Sequence, residues 1–263
     1  MLVTGSNTGV GYALVKLLAQ QGHRVYLSGR NEESVREAVE KLRGLDVKPV
    51  LLDVTKDESV RTAREVIENA EGRLDVLVNN AGKQGGEIQI LDDLNVFKAI
   101  YPGFCKPSEL SIDFITKALQ VNYLGVIRVT TAFLPLIRQS THRGIILNVS
   151  SGAGSHHYQS NYPQRYPCVS AAYYGSKAAL NAYTISLAKE LEVRGSGVRV
   201  HSVTPGMTVT RMTEEYGFPA RRPPVEGAEV ILPWATLDKE DDRTGMFVGY
   251  NNDEGRIDEG IPW

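Results

Sequence analysis

The chain has 263 residues with 29 basic and 31 acidic side chains, a net charge of −2, and 42% hydrophobic against 23% charged residues. That balance excludes both the basic footprint of a nucleic-acid or anionic-membrane binder and the apolar-poor composition of a disordered chain. Two cysteines, Cys105 and Cys168, are too few for a disulfide scaffold or a thiolate metal site, so no metal is expected.

Only Met1, Leu2 and Val3 precede a glycine-rich turn, Thr4-Gly5-Ser6-Asn7-Thr8-Gly9-Val10-Gly11. No basic segment lies ahead of it and no apolar run is long enough to cross a bilayer, so a cytoplasmic location is expected. Val10, Leu14, Leu17 and Leu18 share one helical face and predict a helix over 9–21. A strand over 24–28 follows, then a helix over 31–43 with Asn31 as N-cap. The pattern continues with a strand over 47–53, a helix over 57–70, a strand over 74–79 and a long helix over 108–139. Strands over 144–150 and 197–203 flank a helix over 170–193, and a helix over 224–235 and a strand over 245–250 close the chain. Alternation of apolar strands with helices predicts an α/β fold: a Rossmann-type, doubly wound parallel sheet with helices on both faces. No repeat or linker interrupts it, so 1–263 is expected to be one domain.

The turn at 4–11 joins the first strand to the first helix, where glycines let backbone N–H groups approach a pyrophosphate at the helix N-terminus. Its spacing, G-x-x-x-G-x-G, resembles the short-chain dehydrogenase/reductase family, and further marks follow in the family's order. They are Asp53 after the third strand, Asn79-Asn80-Ala81-Gly82 after the fourth, and Asn122 in the long helix. Ser151 follows the fifth strand, Tyr173 and Lys177 form Y-x-x-x-K, and Pro205-Gly206 follows the sixth strand.

The resemblance implies a nicotinamide dinucleotide held by Gly5, Asn7, Thr8, Gly9, Val10 and Gly11, with Asp53 and Val54 at the adenine. Asn80, with Ala81 and Gly82, falls at the adenosine ribose region, and Pro205, Gly206, Met207, Thr208 and Thr210 at the carboxamide end of nicotinamide. Gly29 stands where the family usually places an acid for the ribose 2′-hydroxyl, and Arg30 follows it. A guanidinium suits a 2′-phosphate, so NADP(H) is favoured.

Tyr173 and Lys177 are four residues apart and project from one helical face. Taken alone, such a pair is usually a solvated helix face. Here it follows Asn148-Val149-Ser150-Ser151, and the family assigns it to proton transfer. An adjacent ammonium lowers a phenol's pKa, which is the behaviour expected of Tyr173. Lys177 is also expected on the nicotinamide ribose, Ser151 on the substrate carbonyl, and Asn122 beside a water next to the lysine. Tyr174 sits only three residues before the lysine and departs from the motif. His156 and His157 lack a nearby acid or third ligand and read as a surface loop.

Two segments exceed the family minimum, 83–107 with Phe97, Tyr101, Phe104 and Cys105, and 152–169 with Tyr158, Tyr162, Pro163, Tyr166 and Pro167. Both leave the C-terminal edge of the predicted sheet and are expected to wall an aromatic pocket for a carbonyl compound. The stretch 224–229, Gly245-Met246-Phe247 and Trp263 look similar to the carbonyl-reductase branch, whose members reduce ketones, aldehydes and quinones with NADPH. The expected partner is therefore a small carbonyl or alcohol substrate, with the protein a monomer or homodimer. Two alternatives share the fold: an NADP-linked secondary alcohol dehydrogenase working oxidatively, and a non-catalytic dinucleotide sensor, which has no need of Asn122, Ser151, Tyr173 and Lys177.

Overall fold

The computed structural model of the protein describes residues 1–83, 110–161, 171–215, 220, 222–251 and 255–263. Among these, β1 (Leu2–Val3), α1 (Gly9–Gln20), β2 (Val25–Gly29), α2 (Glu32–Glu40), β3 (Val47–Leu51), α3 (Asp57–Glu71) and β4 (Val76–Asn79) form the first half. The second half runs α4 (Ile112–Leu119), a π-helical turn (Gln120–Leu124), α5 (Gly125–Ile137), β5 (Ile145–Val149), a 3₁₀ turn (Gly152–Gly154) and α6 (His156–Asn161). It ends with α7 (Ala171–Val193), β6 (Arg199–Thr204), α8 (Arg211–Glu215), α9 (Pro224–Ala235), β7 (Phe247–Asn251) and β8 (Arg256–Asp258).

The described strands make one sheet in the order β3-β2-β1-β4-β5-β6-β7-β8. All neighbours are parallel except β7 and β8, which are antiparallel. The strands are covered on both faces because their residues divide by the two-residue period of the pleat. Val3, Val25, Leu27, Val78, Leu147 and Val203 pack under α1, α2 and α9. Leu2, Tyr26, Leu77, Ile146 and Val200 pack under α3, α5 and α7 on the other side. The chain leaves β1 toward β2 and later returns to pair β4 with β1 on the opposite side. This reversal opens a crevice at the C-terminal ends of β1 and β4, where ligands bind in open α/β sheets.

Asn31 caps α2 as expected, its Oδ1 accepting the Ser34 N–H at 2.9 Å. The predicted helix over 108–139 is instead α4 and α5 joined through the π turn at 120–124. At the middle of this turn is Asn122, which is fully buried. A hydrophobic period cannot reveal one residue inserted into a helical turn, whereas a buried amide needing partners supplies a reason for it. Elements the pattern passed over are α6, α8 and β8, each six residues or fewer. No helix among the described residues is long and apolar enough to cross a membrane.

Candidate active site

The crevice begins where β1 ends. α1 opens with no acidic residue in its first turn and no side-chain cap from Thr8, whereas α2 and α3 open on Glu32, Glu33 and Asp57, Glu58. The positive end of the α1 dipole is thus left for an external anion. The turn feeding it depends on glycine: Gly5 and Gly9 adopt φ of +59° and +61°, and a Cβ on Gly5 would stand 2.8 Å from Ala81 Cα. Thr4 Oγ1 accepts the N–H groups of Asn80 and Ala81 at 2.9 and 3.0 Å. Asn80 Nδ2 donates to the carbonyls of Thr4 and Gly5 at 2.9 and 3.0 Å. Asn80 therefore binds the two turns together, and it packs so closely that a Cβ on Gly11 would lie 2.4 Å from its Nδ2. Val10 is turned into the core.

At the end of β2, Asn7 Nδ2 donates to Ser34 Oγ at 3.1 Å. The Asn7 amide fills the space beside Gly29, its Oδ1 lying 3.0 Å from where a Cβ would be. Arg30 is exposed next to it. Asp53 is half-buried, and although burial pushes its carboxyl up, hydrogen bonds from Thr55 and the nearby Lys56 and Arg30 charges hold it below its ordinary value. Val54 is committed to the core, its methyl standing 2.9 Å from the Cβ position of Gly125. N–H groups at an unneutralised helix end together with an arginine make a donor set that fits a phosphorylated dinucleotide.

The second cluster lies beyond β4 and β5. Tyr173 is hydrogen-bonded to Ser151, and burial pushes its phenol up to about 12 against that bond. The Lys177 Nζ sits 5.6 Å from the centroid of the Tyr173 ring and donates to the Val149 carbonyl at 2.8 Å. Burial pulls Lys177 down to about 8. The expected lowering of the phenol's pKa by the ammonium is thus reversed, because burial dominates and Lys177 is engaged with a carbonyl over the ring. Near neutral pH the phenol holds its proton.

A Cβ on Gly82 would lie 3.8 Å from Lys177 Nζ and 3.6 Å from Asn122 Oδ1, so both side chains converge on this point. The Asn122 amide is held by Lys83, whose N–H donates to Oδ1 at 2.8 Å and whose carbonyl accepts from Nδ2 at 2.7 Å. Nδ2 also donates to Ser176 Oγ at 2.9 Å. Tyr174 pairs instead with His156, Oη to Nδ1 2.5 Å, which gives that histidine a partner the loop reading did not foresee.

After β6 the chain turns at Gly206 (φ +77°), passes Met207 and folds back over the glycine turn. The Thr210 methyl comes within 3.5 Å of the Cβ position of Gly9. Thr208 is buried and bridges to Arg222. Arg222 donates to the Pro205 carbonyl at 2.9 Å and lies 3.6 Å over the Tyr250 ring. Asn181 was missed by the motif pattern: its Oδ1 accepts from Ser150 and Ser202 at 2.7 and 3.1 Å and its Nδ2 donates to the Gly154 carbonyl at 3.2 Å. Its one available signal was a lone amide one turn beyond Lys177.

Of the expected substrate-side segments, Phe97, Tyr101, Phe104, Cys105, Tyr162, Pro163, Tyr166, Pro167 and Cys168 lie outside the described residues. Tyr158 is described, and it is packed with Phe247 and Ile261 rather than lining a pocket. Among the described residues no group of three His, Cys, Asp or Glu side chains is placed to hold a metal.

The short chain dehydrogenase family model matches residues 1–218. An uncharacterised oxidoreductase of Staphylococcus epidermidis is 32% identical over 222 residues, covering 84% of this chain and 83% of its own. Salutaridine reductase from Papaver somniferum superposes with a TM-score of 0.75 at 29% identity, over 94% of this chain and 98% of that one. Actinorhodin polyketide ketoreductase with NADPH does so with a TM-score of 0.74 at 25% identity, over 94% and 93%. The order of the sheet, the converging Ser151, Tyr173 and Lys177, and these matches agree: the chain belongs to the short-chain dehydrogenase/reductase family of oxidoreductases.

Proposed function

We propose that the protein is an NADPH-dependent reductase of a ketone, aldehyde or quinone, acting as a single cofactor-binding domain over 1–263. The observation that carries this reading is the Tyr173–Ser151 hydrogen bond next to the buried Lys177. The choice of NADP(H) is supported by the Asn7 amide beside Gly29, where a carboxylate side chain would be crowded, and by exposed Arg30. The NADPH named with the actinorhodin ketoreductase points the same way.

In this reading the α1 N-terminus and the 5–11 turn take the pyrophosphate, Arg30 the 2′-phosphate, and the loop 205–210 the nicotinamide end. NADPH, when bound, supplies the hydride. Ser151 donates a hydrogen bond to the substrate's carbonyl oxygen and stabilises the negative charge developing there. Tyr173 Oη gives its proton to that oxygen, completing the alcohol. The phenolate left behind is stabilised by the Lys177 ammonium, which titrates near neutrality and can return a proton. Asn122 fixes Lys83 and Ser176, and Ser176 Oγ in turn donates to the Tyr173 carbonyl at 2.7 Å. The same residues serve alcohol oxidation in reverse, the direction following the cofactor ratio.

The test is oxidation of NADPH, with NADH in parallel, over a panel of ketones, aldehydes and quinones. Turnover with NADPH well above NADH is expected. Preference for NADH would contradict the assignment of Arg30, and NADPH binding without turnover of any carbonyl would favour a dinucleotide sensor.

A further inference from the structure

Ile261, Pro262 and Trp263 join β7 to the segment that follows Ser151. Ile261 donates its N–H to the Phe247 carbonyl at 2.8 Å. The Trp263 indole stacks on the Phe247 ring, with centroids 5.3 Å apart and planes at 24°. From this footing the segment offers two carbonyls to the chain beyond the 3₁₀ turn. Ser155 Oγ donates to Pro262 at 2.6 Å, and the His157 N–H donates to Trp263 at 3.1 Å. Tyr158, 5% exposed, packs into the same apolar cluster as Phe247 and Ile261.

These contacts fall on the base of α6, six residues that are too few to hold a helix by themselves. α6 is also tied toward Ser151 and Tyr173 along the chain: His156 bonds to Tyr174, the neighbour of Tyr173, and Gln159 Nε2 donates to the carbonyl of Ala153, two residues beyond Ser151, at 3.2 Å. The position of 155–161 is therefore set from outside, by the footing on β7, while the preceding turn at 152–154 rests on α7.

We propose that Ile261–Trp263 is a strap that fixes the 155–161 wall beside Ser151 and Tyr174, and thereby sets which carbonyl compounds the site accepts. This rests on the carbonyl-reductase reading. The strap residues are positioning residues acting through α6. Their contacts lie on β7 and on 155–158, apart from the glycine turn and Arg30. Loosening the strap thus changes how substrate is held and leaves cofactor binding as it was.

The variants are Trp263→Ala, Trp263→Phe and Ser155→Ala, read by hydrogen exchange over 152–161 and by steady-state kinetics on small and bulky ketones. Trp263→Ala is expected to speed exchange at 152–161 but not at 5–11. It should also raise KM for the bulky ketone by about 10-fold, with kcat within about two-fold and NADPH affinity unchanged. Trp263→Phe keeps a ring on Phe247 and restores both readouts. Ser155→Ala is expected to speed exchange at 152–161 as well, since Ser155 Oγ both donates to the strap and accepts the Tyr158 N–H at 3.1 Å. Unchanged exchange at 152–161, or equal losses of kcat and NADPH affinity with faster exchange throughout, overturns the proposal. Wild-type protein that reduces no carbonyl overturns the carbonyl reading and the substrate half of this one. The exchange arm needs no substrate and decides the strap by itself.

Discussion

Gly154 lies against the backbone of Lys177: a Cβ on Gly154 would stand 2.9 Å from both the carbonyl carbon and the Cβ of that lysine. Neither atom is the end of a flexible side chain, so the 3₁₀ turn and α7 meet closely only because residue 154 is glycine. Asn181 holds the turn from behind through the Gly154 carbonyl. Gly154→Ala must push the turn away from α7, carrying Ser151 with it. Turnover is expected to fall about 100-fold, as for a displacement on the order of 1 Å, against a stability loss of about 1–3 kcal/mol. Paired kcat and denaturant-midpoint measurements check this, and unchanged kcat would mean that Ser151 does not follow the turn.

Lys177 is 4% exposed, and burial lowers its pKa from 10.5 to about 8. Between those values the unfolded chain holds a proton that the folded chain has released, so this group makes stability rise with pH across that window. Below pH 8 the buried charge is a standing cost. Lys177→Met is therefore expected to stabilise the cofactor-free protein at pH 7 by about 1–3 kcal/mol while abolishing turnover. The gap should narrow as pH rises from 8 toward 10.5. A less stable variant at pH 7 would show that the bond to Val149 outweighs the burial cost.

His201 is fully buried on β6, its ring 5.1 Å from that of Trp234. Burial lowers its pKa from 6.5 to about 4, with Asp241 opposing and the Arg199 and Arg243 charges adding to the effect. In this window the unfolded state binds the extra proton, so stability present above pH 6.5 is lost as pH falls toward 4 and levels off below it. The loss amounts to about 3 kcal/mol for a shift of this size. Denaturant midpoints for wild type and His201→Leu from pH 7 to 4 isolate the term. A slope equal in both proteins would assign the acid sensitivity elsewhere.

Arg30→Ala is expected to raise KM for NADPH by about 10-fold or more while leaving that for NADH little changed, because only the former loses a charge-assisted phosphate contact. Gly29→Asp alone should not produce an NADH enzyme. Its Cβ would stand 3.0 Å from both Asn7 Oδ1 and Val35 Cγ2, so the carboxylate needs a second change at residue 7. Cofactor-dependence assays on both variants check these outcomes.

What the sequence could and could not convey follows from the range of the interactions. The three exposed or half-buried residues of β8 carry no periodic mark. The parallel strands β1 to β7 and α1, α2 and α3 were legible because burial writes a period of two or 3.6 into local sequence. The π turn at Asn122 was not, since its cause is an amide bonding Lys83, 39 positions away, and Ser176, 54 positions away. α6 reads His-His-Tyr-Gln-Ser-Asn, with no apolar face to betray it, and its support comes from Pro262 and Trp263, more than 100 residues on. The motif residues Ser151, Tyr173 and Lys177 were found through the family pattern and lie together in the fold. The Tyr173 phenol was expected to shift downward and instead is pushed up by burial, which spacing does not convey. Asn181 and Gly154, which hold the turn, were invisible for the same reason.

The proposed role of Tyr173, proton donor in an NADPH-linked carbonyl reduction, is tested by comparing wild type with Tyr173→Phe. NADPH affinity and single-turnover reduction would be followed for both proteins on a ketone the wild type accepts. NADPH affinity is expected to stay within about three-fold and turnover to fall about 100-fold or more. Turnover retained in Tyr173→Phe, with NADPH bound as tightly, would contradict that role.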